Sequence, residues 1–123
     1  METLVCKTES LCLYERATDR WVIFSFTGDE VPRQEDLIQI LESLKRAADE
    51  VTRKPIVFAV EVVSRPNSRM LSAVIGLLTD KHGQPRRLAL AGASQTWLDM
   101  LDILGVRSNF LIVESVEEVT FED

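Results

Sequence analysis

Ile56 to Val63, reading Ile-Val-Phe-Ala-Val-Glu-Val-Val, is a nearly unbroken run of β-branched and apolar residues. A strand of this kind has almost no polar side to turn to water, so it requires a sheet covered on both faces, and the rest of the chain must supply its neighbours. Ser64 to Asn67 reads as the loop that leaves it, with Pro66 restricting the backbone. Leu71, Val74, Ile75 and Leu78 then form a helical stripe, opened by Ser68, whose short hydroxyl side chain suits a helix amino-terminal cap. His82 to Pro85 makes a turn, and Leu88 to Ala91 is a further apolar run ending at Gly92. Ser94 suits the cap of a helix whose buried side is Trp97, Leu101 and Leu104, with Gly105 stopping it and Phe110 to Val113 as the last strand. Strands and helices alternating this closely leave room only for direct crossovers, which predicts parallel strands.

The first part of the chain reads differently. Leu4 to Val5, Leu11 to Tyr14 and Trp21 to Phe26 are short strand signals, with Asp19 in the polar turn before the last and Gly28 closing it. Glu35 to Val51 is an amphipathic helix with Leu37, Leu41, Leu44, Ala48 and Val51 on its apolar side, broken by Arg53 to Pro55. With 123 residues and 46% hydrophobic residues, the chain fills one core, and residues 1–123 read as a single domain. Its formal charge of −6 disfavours nucleic acid, which requires clustered Lys and Arg, and favours a basic or neutral partner. Met1 is followed by Glu2 rather than by the basic and apolar regions of a signal peptide, and no stretch approaches the ~20 apolar residues of a membrane span. A cytoplasmic protein with no direct membrane insertion is expected. Cys6 and Cys12 fit two unpaired thiols; on one extended stretch they would share a face, too far apart to bridge.

Beyond this α/β pattern, the residues from Ile56 to Val119 resemble the STAS domain, the fold of bacterial anti-sigma factor antagonists. Family members carry an apolar strand, a loop reading roughly Asp-Ser-Ser-Gly-Leu and a helix; here the loop position reads Asn67-Ser68-Arg69-Met70-Leu71. Leu88 to Ser94 is similar to the family's next strand and cap, Leu101 to Val106 to its glycine-stopped helix end, and Phe110 to Val119 to its final strand and the Ser-x-Glu-Glu start of a last helix. Phe26-Thr27-Gly28-Asp29 resembles the turn after an early strand. Order and spacing carry the likeness, since each motif alone is common. The resemblance implies a mixed, mostly parallel sheet of about four to five strands covered by about four helices.

It also implies a role for Ser68. In anti-sigma factor antagonists the serine at this position is phosphorylated by a partner anti-sigma factor that is itself a serine kinase, and the phosphate separates the two. A charge of about −1.5 to −2 on a surface that must lie flat against another protein disrupts binding through bulk and desolvation. The same phosphate at a helix amino terminus is tolerated within the domain. By resemblance, then, Ser68 is the phosphoacceptor and Ser64, Arg65, Asn67, Ser68, Arg69, Met70 and Leu71 form the partner-binding loop. The alternative is that Ser68 only caps its helix. Four positions differ from the family pattern: Ala59 stands where an acidic residue is usual, Asn67 replaces Asp, and Arg69 and Met70 replace Ser and Gly. With Arg65, these make the loop cationic, either as solvated charges or as a pair that meets an anionic group. Met70 reads as a packing or interface residue.

Other signals point to no chemistry. His82, the only histidine, sits in a polar turn without cysteine or carboxylate at ligand spacing, so neither metal nor other cofactor is expected. Asp80-Lys81 reads as a helix-end charge pair, Gly28, Gly76, Gly83, Gly92 and Gly105 form no phosphate-cradling loop, and no nucleophile has its base. Trp21 and Trp97 read as core or half-buried. Glu114, Glu117, Glu118, Glu122 and Asp123 give an acidic end, in which Glu117 and Glu118 favour a short helix start. Two functions fit, neither enzymatic: an antagonist-like partner-switching regulator, or an unphosphorylated subunit of a larger complex such as a lipid transporter or sensory scaffold.

Overall fold

The computed structural model describes residues 2–51 and 54–121. Its centre is the strand that begins at Ile56. We label the strands β1 (Glu2–Lys7), β2 (Leu11–Ala17), β3 (Val22–Gly28), β4 (Ile56–Ala59), β5 (Leu88–Ala91) and β6 (Phe110–Val113). The helices are α1 (Gln34–Asp49), α2 (Ser68–Gly76) and α3 (Gln95–Ile103). The strands form one sheet in chain order, β1-β2-β3-β4-β5-β6. β1, β2 and β3 run antiparallel, whereas β3 through β6 are parallel, as the short crossovers predict. All four residues of β4 are buried.

The two faces of the sheet are covered in different ways. Leu13, Phe24, Phe58 and Leu90 lie under the helices, in one cluster with Leu37, Ile40 and Leu44 of α1, Met70 and Val74 of α2, and Trp97 and Leu101 of α3. The Phe24 and Phe58 rings stack with centroids 5.9 Å apart. On the other face, Ile23, Val57 and Ala89 are covered by the end of the chain, where Val119 is buried and Val116 and Phe121 are partly so. Phe121 meets Trp21 edge to face at 5.5 Å. Val119 and Phe121 lie two residues apart and both face the sheet, which is the spacing of an extended chain.

That explains the first difference from expectation. The described residues hold six strands and three α-helices, not four to five strands and four helices, and the expected last helix is only a 3₁₀ turn at Val116–Glu118. Glu122 and Asp123 lie outside the described residues, as does Arg53, but α1 already ends at Asp49. The strand predicted over Ile56 to Val63 pairs only as far as Ala59, because its partner β5 ends at Ala91. Val60 and Val63 remain buried beyond it. The chain also turns back between Cys6 and Cys12: Cys6 lies opposite Leu13 and Cys12 opposite Lys7, so the two thiols face opposite sides of a hairpin instead of sharing a face. Both are free.

Polar contacts fix the ends of these elements. Asp36, in the first turn of α1, accepts hydrogen bonds from the Ser10 hydroxyl at 2.6 Å and the Ser10 backbone N–H at 3.1 Å. The Ser10 hydroxyl, with help from that backbone N–H and Arg33, holds the Asp36 carboxyl below its ordinary range. Gly28, at φ 134°, allows β3 to pass Ser10, since a Cβ there would lie 2.3 Å from the Ser10 carbonyl oxygen. The Arg86 guanidinium donates to the Ala48 carbonyl at 3.2 Å and the Leu77 carbonyl at 3.4 Å, joining the carboxyl ends of α1 and α2. Asp80 is a turn residue rather than a partner for Lys81: its carboxylate accepts from the backbone of His82 and Gln84.

Candidate functional site

Three segments meet where the parallel strands end: the turn after β3, the loop from β4 to α2, and the start of α3. The loop is held at its beginning. Buried Trp97 donates its indole N–H to the Val63 carbonyl at 2.7 Å, and the Ser94 hydroxyl donates to the Ser64 carbonyl at 2.6 Å. The Ser64 hydroxyl donates to Glu30 in the turn after β3. Glu30 is itself positioned by the segment that Ser10 ties down, where Asp29 N–H donates to the Ser10 carbonyl and Arg33 N–H to its hydroxyl. Gly92, at φ 75°, ends β5 beside Glu61, whose Cβ would lie 2.8 Å from any Cβ at that position.

From there the loop turns outward. Pro66 is buried, while Arg65, Asn67, Ser68 and Arg69 are exposed. Asn67 is the amino-terminal cap of α2: its side-chain oxygen accepts from the Met70 backbone N–H at 2.9 Å. Ser68, expected to be the cap, is instead the first residue of the helix, and its hydroxyl makes no hydrogen bond among the described residues. The Ser68 and Arg69 backbone N–H groups, the first two of α2, are likewise left without an intrahelical partner. Ser94, by contrast, is the cap of α3, accepting from Trp97 N–H.

The seven residues expected to form the binding loop divide by exposure. Arg65, Asn67, Ser68 and Arg69 face solvent and Ser64 is half-buried. Met70 and Leu71 are buried, at 0% and 2% exposure, so Met70 belongs to the core and supports the loop from below instead of offering an interface. Arg65 and Arg69 make no ion pair among the described residues.

Sequence reasoning missed two parts of this region. Glu30 lies 34 residues before Ser64, and no local pattern connects them. The other is an apolar groove between α2 and α3. Leu104, expected on the buried side of α3, is 53% exposed, and Ile103 beside it is 84% exposed. The groove is lined by Ser68, Leu71 and Ser72 from α2 and by Met100, Ile103 and Leu104 from the end of α3. Ser68 and Ser72 are too short to cover Leu104, which is why it stays open. No group of His, Cys, Asp and Glu among the described residues is arranged to hold a metal ion, and no described helix is long and apolar enough to cross a membrane.

No protein-family model matches the chain, and no curated protein matches it. Its fold matches a solved structure, that of an anti-sigma-factor antagonist (STAS) domain protein from Planctomyces limnophilus. The match has a TM-score of 0.74 at 15% identity and covers 86% of this chain and 92% of the other. The fold that the residues from Ile56 to Val119 resemble is therefore the fold that the chain has.

Proposed function

On this STAS fold, we propose a protein-binding module that engages its partner through the Ser64 to Leu71 loop and is switched by phosphorylation of Ser68. The partner belongs to the anti-sigma factor class with serine-kinase activity, and the encounter takes place in the cytoplasm. The observation that carries this reading is the division of labour at the start of α2. Asn67 supplies the side-chain cap of the helix, and the Ser68 hydroxyl is exposed and makes no hydrogen bond among the described residues. A phosphate there would sit at the positive end of the helix, beside Arg65 and Arg69. The fold would tolerate it, while a surface pressed against Ser68 would not.

The cationic loop favours a second reading, in which the module is a constant subunit of a transporter or scaffold complex. Arg65 and Arg69 then meet the partner directly, and Ser68 is never modified. One experiment separates the two: recovery of the tagged chain from its native cell, with mass spectrometry of the loop peptide. A kinase-type partner with phosphate on Ser68 supports the switch, and a stoichiometric complex subunit without phosphate supports the adaptor. Ser68→Asp is expected to weaken binding to the recovered partner while the thermal midpoint stays nearly unchanged. Equal binding by both forms would sink the switch.

A further inference from the structure

The two edges of the sheet are finished differently. At β1 the pairing with β2 is interrupted by a bulge between Leu4 and Cys6, and Glu2 and Lys7 put a charge at each end of the strand. Both devices keep a foreign strand from joining an edge. β6 has neither. Phe110–Val113 is wholly apolar, its register with β5 runs unbroken, and no strand lies beyond it among the described residues. Leu111, Ile112 and Val113 are only half-buried, and a groove of about 510 Å³ lies between Phe110 and Ile112 on one side and Gly105, Arg107 and Ser108 on the other.

The groups that face outward follow from those that face inward. The Val113 carbonyl accepts from Gly92 N–H at 3.0 Å, so Val113 and Leu111 direct their backbone groups to β5, and the alternation of a strand turns those of Phe110 and Ile112 outward. Phe110 N–H is already donated to the Arg107 carbonyl. Glu114 N–H is held by the carboxylate of the exposed Glu118 at 3.1 Å. The edge therefore offers an acceptor at Phe110, a donor and an acceptor at Ile112, and a donor at Glu114. Turned end for end about Ile112, this set is its own complement.

We infer that β6 pairs antiparallel with β6 of a second copy of this chain, centred on Ile112. Each Ile112 N–H donates to the other's carbonyl, and each Glu114 N–H leaves Glu118 and donates to the other copy's Phe110 carbonyl. Leu111 then lies opposite Val113 of the other copy. The charges choose the same direction. Glu114, Glu117 and Glu118 are exposed beyond one end of β6, whereas near the other end Arg107 and Asp102 neutralise each other as a pair at 3.0 Å. Parallel strands would set the two acidic ends side by side, and antiparallel strands separate them. An interface built on one short strand falls below the roughly 1,200–2,000 Å² of stable complexes, so the dimer forms reversibly with concentration. No residue of the Ser64 to Leu71 loop takes part, and the pairing stands or falls independently of the binding proposed for that loop.

The test is sedimentation equilibrium of the purified chain from about 10 μM to about 1 mM, the range of weak association. A species of twice the 13.9 kDa chain mass is expected as concentration rises. Ile112→Pro should raise its dissociation constant at least about tenfold while circular dichroism shows the chain still folded, because the lost N–H points away from β5 and only the dimer uses it. Should proline disturb β6 itself, charges at the same position decide. Ile112→Lys and Ile112→Glu each set like charges opposite one another and should each stay monomeric, whereas their equal mixture forms a heterodimer. A chain that stays monomeric at the highest concentration overturns the inference. So does a dimer that Ile112→Pro leaves as tight as before, or a mixture of the charged variants no more dimeric than either alone.

Discussion

The amino termini of α2 and α3 are built from the same materials and used in opposite ways. Each helix starts just beyond the carboxyl end of a parallel strand, and each has a serine at its start. Ser94 is consumed by structure: it caps α3, and its hydroxyl holds the Ser64 carbonyl while Trp97 holds the carbonyl before it. At α2 an asparagine does the capping and the serine stands one position later, its hydroxyl without a hydrogen bond among the described residues. A serine at a helix start is therefore a functional candidate only when another residue has relieved it of the cap.

The contrast breaks most visibly at Trp97. It is fully buried and its indole N–H satisfies a buried carbonyl, so Trp97→Ala removes both a large core side chain and a hydrogen bond. A loss of about 3–5 kcal/mol in the free energy of unfolding is expected, read from denaturant titration. Ser94→Ala comes next. It removes the cap and exposes the Ser64 carbonyl to a missing partner, for about 1–2 kcal/mol. A loss no larger than that of an ordinary surface substitution would mean that α3 does not anchor the loop.

Asn67→Ala is expected to cost about 1 kcal/mol, the usual effect of losing a side-chain cap. This variant bears directly on the division of labour. In it Ser68 is the nearest hydroxyl to the orphaned amides, and a structure in which Ser68 moved back into the cap would restore part of the loss. Asn67→Asp should keep the stability and give the loop the Asp of the pattern that it resembles, so under the proposed switch it isolates the effect of that charge.

How much of this could be read in advance follows from the range over which each signal acts. β4 and β5 declare themselves because a strand buried on both faces needs apolar residues in succession, and Ile56 to Val60 and Leu88 to Ala91 have them; β6 has an apolar run too, Phe110 to Val113, although only Phe110 is fully buried at the sheet edge. The choice between Asn67 and Ser68 as cap was not legible, since both residue types cap well and they are adjacent. Nor was Leu104: its spacing from Trp97 and Leu101 is that of a buried stripe, and what exposes it is the shortness of Ser68 and Ser72 on another helix. The same holds for the carboxyl end, where Glu117 and Glu118 favour a helix locally but Val119 and Phe121 are drawn to the sheet around Ile23, Val57 and Trp21. In each case a contact distant in sequence decides between local alternatives of similar strength.

The smallest effect is the most informative about Ser68. Because its hydroxyl makes no hydrogen bond among the described residues and is exposed, Ser68→Ala should change stability by less than about 0.5 kcal/mol. Ser68→Asp puts a carboxylate in the first turn of α2, beside Arg65 and Arg69, and should be more stable than Ser68→Ala by a few tenths of a kcal/mol at low salt. That difference should shrink as salt is added, because the site is at the surface. If Ser68→Ala instead cost as much as Ser94→Ala, the hydroxyl would be part of the helix start after all, and a phosphate on it would act on the fold rather than on the partner.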